Sequence, residues 1–312
     1  MGSLPQTKSE LLRCGLTEHH IRTRFTRISR GIYLPNSMVP AGELPLRIRS
    51  QAALLRFPSG VLGSWAAAQF WGLPYFHENA PVMIHSFSKS LAKDSDLKVH
   101  HRFITHRFSV FEASGGSMPL RLVPPAIALV DCLTEVRDGY CDWWVPELPE
   151  WTPQQIRSVQ VIDSFRRFVR FHHAEVLAAC TDRFDKDEFL KLWQLSALGV
   201  DSPPETYLRL SVLGLATWQT QYAFRRSNGS LITRADLAAA EHRLALFYDG
   251  APHLQRQQHD YDSEVVQELI MLGWHPVRIT RHQMRTPLHF RNRIARLLQR
   301  LKSSPSSNDL DA

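Results

Sequence analysis

Near the C-terminal end an apolar run, Leu244-Ala-Leu-Phe-Tyr248, delivers Asp249 and Gly250, and His253 follows four residues after the aspartate. Such a run has the form of a strand carrying polar groups to a site. Upstream, Thr233-Arg-Ala-Asp236 brings another carboxylate, and Glu205 lies in the first turn of a predicted helix. Carboxylates on neighbouring strands of a hairpin suit a hard divalent ion, Mg2+ or Mn2+, because such ions take oxygen ligands. The chemistry that ion serves is phosphodiester cleavage, in which it neutralises the phosphate and lowers the pKa of a bound water. Asp249 then has two roles open to it: direct ligand, or the group that orients His253 as a general base. Phe247 sits two residues before Asp249, where a further carboxylate is expected.

The elements that position these groups are legible in order. Ser202-Pro-Pro-Glu205 places serine at an N-cap, proline at N1 and glutamate at N3, a capping box that starts a helix running to Leu210. A strand over 217–224 follows, with a turn at Ser227-Asn-Gly-Ser230. Next come the Asp236 strand and the Leu244–Tyr248 strand, then a helix from Ser263 ended by Gly273, then a final strand over 274–280. Asp262 and Glu268 read as helix-start or helix-surface residues, and His259 as a surface residue.

The segment from Ser202 to Thr280 resembles very-short-patch-repair-like endonucleases, which have the restriction-endonuclease-like fold. Its landmarks here are "SPPE", "RADLA", "LALFYDG" with His253, Asp262 with "LGW", and "VRIT". The resemblance implies that Asp236 is the aspartate that opens the metal motif. Many relatives carry a glutamate two residues before the second aspartate, and here that position is Phe247. The short-patch repair enzymes themselves carry an aromatic-type residue there and hold metal through the opening aspartate and a backbone carbonyl. Carried over, this gives the Asp236 carboxylate and the Tyr248 carbonyl as ligands. Asp249 then stands where those enzymes place one histidine, His253 lies near their second, and Glu205 reaches in from the preceding helix. The alternative is a scaffold in which Phe247 has filled a ligand position and catalysis is lost.

The first residues have their own plan. Ser9–Cys14 reads as a short helix ended by Gly15, and Thr17 caps a second helix from Glu18 to about Phe25. Ile28–Leu34 alternates around Gly31 as a small hairpin does. Helix, turn, helix and basic wing is the plan of a winged helix-turn-helix, with Arg22 and Arg24 on the helix that enters a major groove and Arg27 and Arg30 beside it. "GLTEHHIR" and "RGIYLP" resemble the N-terminal domain of type IV abortive-infection antitoxins. Between the two ends, Leu46 to Gly199 reads as mixed α/β, with helices over 49–56, 63–71 and 124–132 and strands over 82–86 and 99–103. This middle holds no phosphate loop, nucleophile elbow or Cys/His dyad, and Trp143, Trp144 and Trp151 read as loop or packing residues.

Charge points to an anionic partner. The net charge is +7, and eight Lys or Arg with no Asp or Glu lie between Arg278 and Lys302. Arg278, Arg281, Arg285 and the arginine-rich C-terminal helix are therefore expected to grip phosphates. The four cysteines form no CxxC pair, which argues against a zinc site and for reduced thiols. The adjacent pairs His19-His20, His100-His101 and His172-His173 diverge on either a helix or a strand and make poor metal pairs. No leader or membrane span is evident, so a soluble, cytoplasmic protein without a membrane partner is expected.

These readings combine into an α/β (α+β overall) chain: a winged helix-turn-helix over 1–45, a mixed α/β middle over 46–200, an endonuclease-like domain over 201–302 and a disordered tail over 303–312. The expected activity is Mg2+- or Mn2+-dependent DNA cleavage, in repair or phage defence, with a homodimer left open. The competing expectation is a DNA-binding regulator or antitoxin-like protein with an inactive nuclease fold.

Overall fold

A computed structural model describes residues 4–76, 78–86, 94–103, 110–114, 119–181, 183–249 and 256–303. His253 and the tail beyond Ser303 lie outside the described residues. The chain is mixed α/β and divides into two compact units, residues 1–143 with 168–190 and residues 144–167 with 191–312. Among the described residues no helix is long and apolar enough to cross a membrane.

In chain order the first elements are β1 (Gln6–Thr7), α1 (Lys8–Arg13), α2 (Glu18–Arg24), β2 (Phe25–Ser29), β3 (Ile32–Pro35), α3 (Leu46–Arg56), β4 (Val61–Gly63), α4 (Ser64–Ala68), β5 (Val82–Ser86), β6 (Val99–Phe103), β7 (Phe111–Ser114), β8 (Pro119–Leu122) and α5 (Pro125–Arg137). Then come α6 (Pro153–Phe168), α7 (His173–Ala179), α8 (Lys186–Leu195), α9 (Pro203–Ser211), β9 (Gln219–Arg225), β10 (Leu231–Ala239), β11 (Leu244–Asp249), α10 (Arg256–Met271), β12 (His275–Thr280) and α11 (Pro287–Ser303).

In the first unit local chemistry sets the N-terminal turns. The Thr7 side chain accepts the Glu10 N–H at 3.2 Å while the Glu10 carboxylate takes the Thr7 N–H at 2.7 Å, so α1 starts at Lys8 rather than Ser9. Thr17 caps α2 through the His20 N–H at 3.2 Å. Gly31, at φ +75°, turns β2 into β3, and β1 joins them in the order β1-β3-β2. A second, mixed sheet has the order β6-β5-β4-β8-β7. The helix expected over 63–71 is shorter: Val61–Gly63 is a strand, and α4 begins abruptly at Ser64, whose φ is +47°.

The second unit is built on a sheet of order β12-β11-β10-β9, antiparallel from β9 to β11 and parallel between β11 and β12. A parallel neighbour needs a crossover, and α10 supplies it. This helix starts at Arg256, earlier than expected, because its first two turns carry polar residues with no apolar period to reveal them. Buried Phe224, Ile232, Ala235, Ala245, Val265 and Leu269 form a core, against which Tyr222, Phe247 and Trp274 pack. Phe224 and Trp274 meet edge to face at 4.7 Å between centroids. At the sheet edge, Pro276 of β12 stands beside Ala245 in register. The α6 helix, started by a Thr152–Gln155 capping box that the expectations did not include, also contributes here: buried Asp163 accepts the Thr206 hydroxyl and an Arg209 guanidinium N–H, both at 2.9 Å, and so ties down α9.

Candidate functional site

Two acidic residues from different elements, Asp236 within β10 and Glu205 of α9, are brought together through Gln221 of β9. The register brackets Asp236 opposite Gln221, with Ala235 facing Tyr222 and Leu237 facing Thr220. On its other side β10 pairs Leu237 with Leu246, and the Asp236 carboxylate accepts the Tyr248 backbone N–H at 2.5 Å. Glu205 arrives from the first turn of α9. Its carboxylate accepts the Ser202 hydroxyl at 2.7 Å, the Asp201 N–H at 3.0 Å and the Gln221 amide at 3.0 Å. The expected capping box is thus altered: the Ser202 hydroxyl donates to Glu205 instead of accepting a backbone N–H. The Gln221 amide also donates toward Asp236 and therefore bridges the two acids.

The electrostatics follow from burial. Asp236 is half-buried, and its pKa is pushed up to about 7, first by desolvation and then by the nearby Glu205 and Asp201 charges. The Tyr248 N–H and the Gln221 amide oppose that rise without overcoming it. Burial likewise raises Glu205, against the three donors that hold it. Among the described residues neither carboxylate has a Lys or Arg ion-pair partner. Gln221 itself has φ +51°, a left-handed backbone that costs a non-glycine residue roughly 1–2 kcal/mol. Strain of this kind is sustained where the surroundings impose the conformation.

The remaining expected residues are distributed differently. Asp249 is exposed, and its nearest cationic partner is Arg278, at 3.9 Å. Phe247 packs against the core beneath the sheet, which accounts for an aromatic at that position. His253 is outside the described residues. Arg281 and Arg285 are exposed beyond β12, and Arg22, Arg24, Arg27 and Arg30 are exposed in the first unit.

Whether the acids suit a hard cation can be judged from their donors. Two half-buried carboxylates of like charge, without a basic side chain between them, are a favourable oxygen set for a divalent ion. In an extended strand a residue's N–H and C=O leave from the same edge. The Tyr248 carbonyl therefore lies on the β10 side, toward Asp236. Among the described residues no group of three His, Cys, Asp or Glu side chains forms a metal site.

Sequence reasoning missed Gln221, since a glutamine in a strand carries no motif and its importance comes only from register. It also missed a buried ionic network in the first unit. The Asp131 carboxylate meets His85 Nε2 at 2.6 Å, Arg102 Nη1 at 2.6 Å and Arg183 Nη1 at 3.0 Å. These partners hold its pKa down to about 2 despite complete burial. One turn on, Glu135 accepts the Ser64 hydroxyl at 2.8 Å and meets His100 Nε2 at 3.0 Å. The network fastens α5 to β5, β6 and the turn at Arg183. Compared with known protein families the chain matches none, and no curated protein matches it either.

Proposed function

We propose that the second unit is a divalent-cation-dependent DNA endonuclease domain of the very-short-patch-repair-like kind, and that the N-terminal helices and β2–β3 hairpin form a winged helix-turn-helix making a separate DNA contact. The observation that carries this reading is the meeting of Glu205 and Asp236, with no basic partner among the described residues, beside the backbone of β11 at Tyr248. The order of helix, hairpin, crossover helix and parallel strand agrees with it.

In this reading Asp236 and Glu205, with the Tyr248 carbonyl, hold Mg2+ or Mn2+. The bound ion supplies charge neutralisation at the phosphate and acidification of a water. Gln221 keeps the two carboxylates in place by donating to both. The Asp163–Thr206–Arg209 bonds fix the helix that carries Glu205. Asp249, beside Arg278, sits at the open end of β11, where Arg278 can meet a scissile or flanking phosphate. The test is nicking of supercoiled plasmid in Mg2+ and in Mn2+. Wild type should convert it, and EDTA or Asp236→Ala should stop conversion. Purified protein that binds DNA yet never cuts in either metal overturns the reading.

A second reading, a DNA-binding regulator with an inactive nuclease fold, is favoured by the packing of Phe247 in the core and the turn of Asp249 toward Arg278. It expects Asp236→Ala to be without consequence and loss of Arg22 and Arg24 to abolish function.

A further inference from the structure

The last helix of the second unit is held by one face. Phe290, Ile294 and Leu298 are buried, and Arg291 is anchored by bonds from Nη1 to the Ser211 and Leu213 carbonyls at 2.9 and 3.0 Å. Arg293, Arg296 and Arg300 are exposed instead, and their spacing of three and four places them along one side of α11. Between that side and β12 runs an open groove of about 550 Å3, whose walls carry these three arginines and Arg278 and whose floor includes Val277 and Leu297. Among the described residues no Asp or Glu lines it, and Arg293 and Arg296 make no ion pair.

From these features we infer that the groove binds an unpaired DNA strand. Seven residues separate Arg293 from Arg300, a rise of roughly 10 Å along the helix. A row of that length matches the repeated charges of a polynucleotide backbone and exceeds what one isolated anion requires. The apolar floor decides between strand and duplex. A duplex turns its phosphates outward and keeps its base faces stacked inside, out of reach of a groove that grips the backbone. An unpaired strand exposes sugars and base faces, which guanidinium planes and aliphatic side chains contact. Arg278 links the groove to the open end of β11 through its 3.9 Å approach to Asp249. Strand binding stands independently of catalysis. The corollary that the substrate contains a single-stranded segment rests on the endonuclease reading.

The full chain is titrated, in EDTA, into 5′-labelled (dT)20 and into a 20-base-pair duplex, with binding read by fluorescence anisotropy. The combined Arg293→Ala, Arg296→Ala and Arg300→Ala variant should bind (dT)20 at least about tenfold more weakly than wild type. Its log Kd against log salt should flatten by about 2, at roughly 0.7 for each phosphate no longer neutralised. Duplex binding should change by less than about threefold, since it draws on other basic surfaces. Circular dichroism of the variant checks that the helix, which gains three alanines, is intact. Unchanged (dT)20 binding, or an equal loss for duplex, overturns the inference. Because the titration is run in EDTA it does not draw on the metal site, so failure of wild type to cut plasmid in either Mg2+ or Mn2+ would sink the endonuclease reading and leave the groove standing.

Discussion

Asp236 of β10 and Tyr248 of β11 are joined by a hydrogen bond from the Tyr248 backbone N–H to the Asp236 carboxylate at 2.5 Å. A side chain thereby takes the place of a ladder partner where the two strands separate. The carboxylate is held against the sheet edge that also bears the Tyr248 carbonyl, so a ligand set of side chain and backbone is formed by pairing itself.

That bond makes Asp236→Asn an informative substitution, since an amide oxygen can still accept the Tyr248 N–H. With its pKa raised to about 7, Asp236 favours the fold when protonated. This contribution is complete below its unfolded pKa of 3.8 and is lost as pH rises through 7. In EDTA, wild type should therefore lose stability between pH 5 and pH 8 relative to Asp236→Asn, by about 2 kcal/mol after allowance for solvent screening. Paired thermal melts at the two pH values measure the difference, and parallel behaviour of the two proteins refutes it. Added Mg2+ should raise the melting temperature of wild type at pH 8 and leave the asparagine variant unmoved.

Phe247→Glu tests whether the missing carboxylate limits the site. Because Phe247 packs on the cluster of Phe224, Val265 and Leu269, the substitution buries an acid in apolar surroundings. A loss of roughly 3 kcal/mol is expected, with no gain in plasmid nicking. Enhanced cleavage by a stable variant would show that position 247 faces the metal site after all.

The first unit should depend strongly on Asp131. Its three partners hold its pKa near 2, well below the usual carboxylate range, so it stabilises the fold above about pH 4 and that contribution disappears as pH falls toward 2. Asp131→Asn leaves two guanidinium groups short of their counter-charge and should cost about 3–5 kcal/mol. Gly63→Ala should be comparably damaging, because its Cβ would stand 2.3 Å from His85 Cδ2 and 2.4 Å from His85 Nε2. Urea unfolding followed by tryptophan fluorescence reads both, and wild-type midpoints for either variant contradict this dependence.

Arg22→Ala with Arg24→Ala should weaken duplex DNA binding and reduce its salt dependence by a slope of about 2, as removal of two phosphate contacts requires. Weaker affinity with an unchanged slope would instead place these side chains on base edges.

Local chemistry makes much of this architecture readable from residue order alone. Thr17 marks a helix start because the first backbone donors need partners, Pro203 marks another because its fixed φ suits the first helical position, and Gly15 and Gly31 mark turns because they adopt positive φ. Glu205 is visible for the same local reason. What escapes depends on pairing across distance. Gln221 matters only because register sets it beside Asp236, and His85 meets Asp131 across 46 residues of chain. Phe247 looks like a vacant ligand position because the cluster it packs against is completed by Val265 and Leu269, from a helix that comes only later in the sequence. The α6 helix does carry a local start signal, a Thr152–Gln155 capping box with Pro153 as its first residue, but the acidic, tryptophan-bearing segment before it masks that signal.

Pro276 has a consequence for how copies of the chain can meet. A proline is accommodated within an edge strand when its nitrogen faces away from the neighbour, so the outer rim of β12 lacks a donor there. Arg278 adds positive charge on the same short strand, and Arg281 follows just beyond it. An approaching copy of β12 would meet a gap in the hydrogen-bond ladder and its own charge reflected back. The sheet is therefore closed to growth by strand addition along this rim, and any pairing of two copies must use another surface.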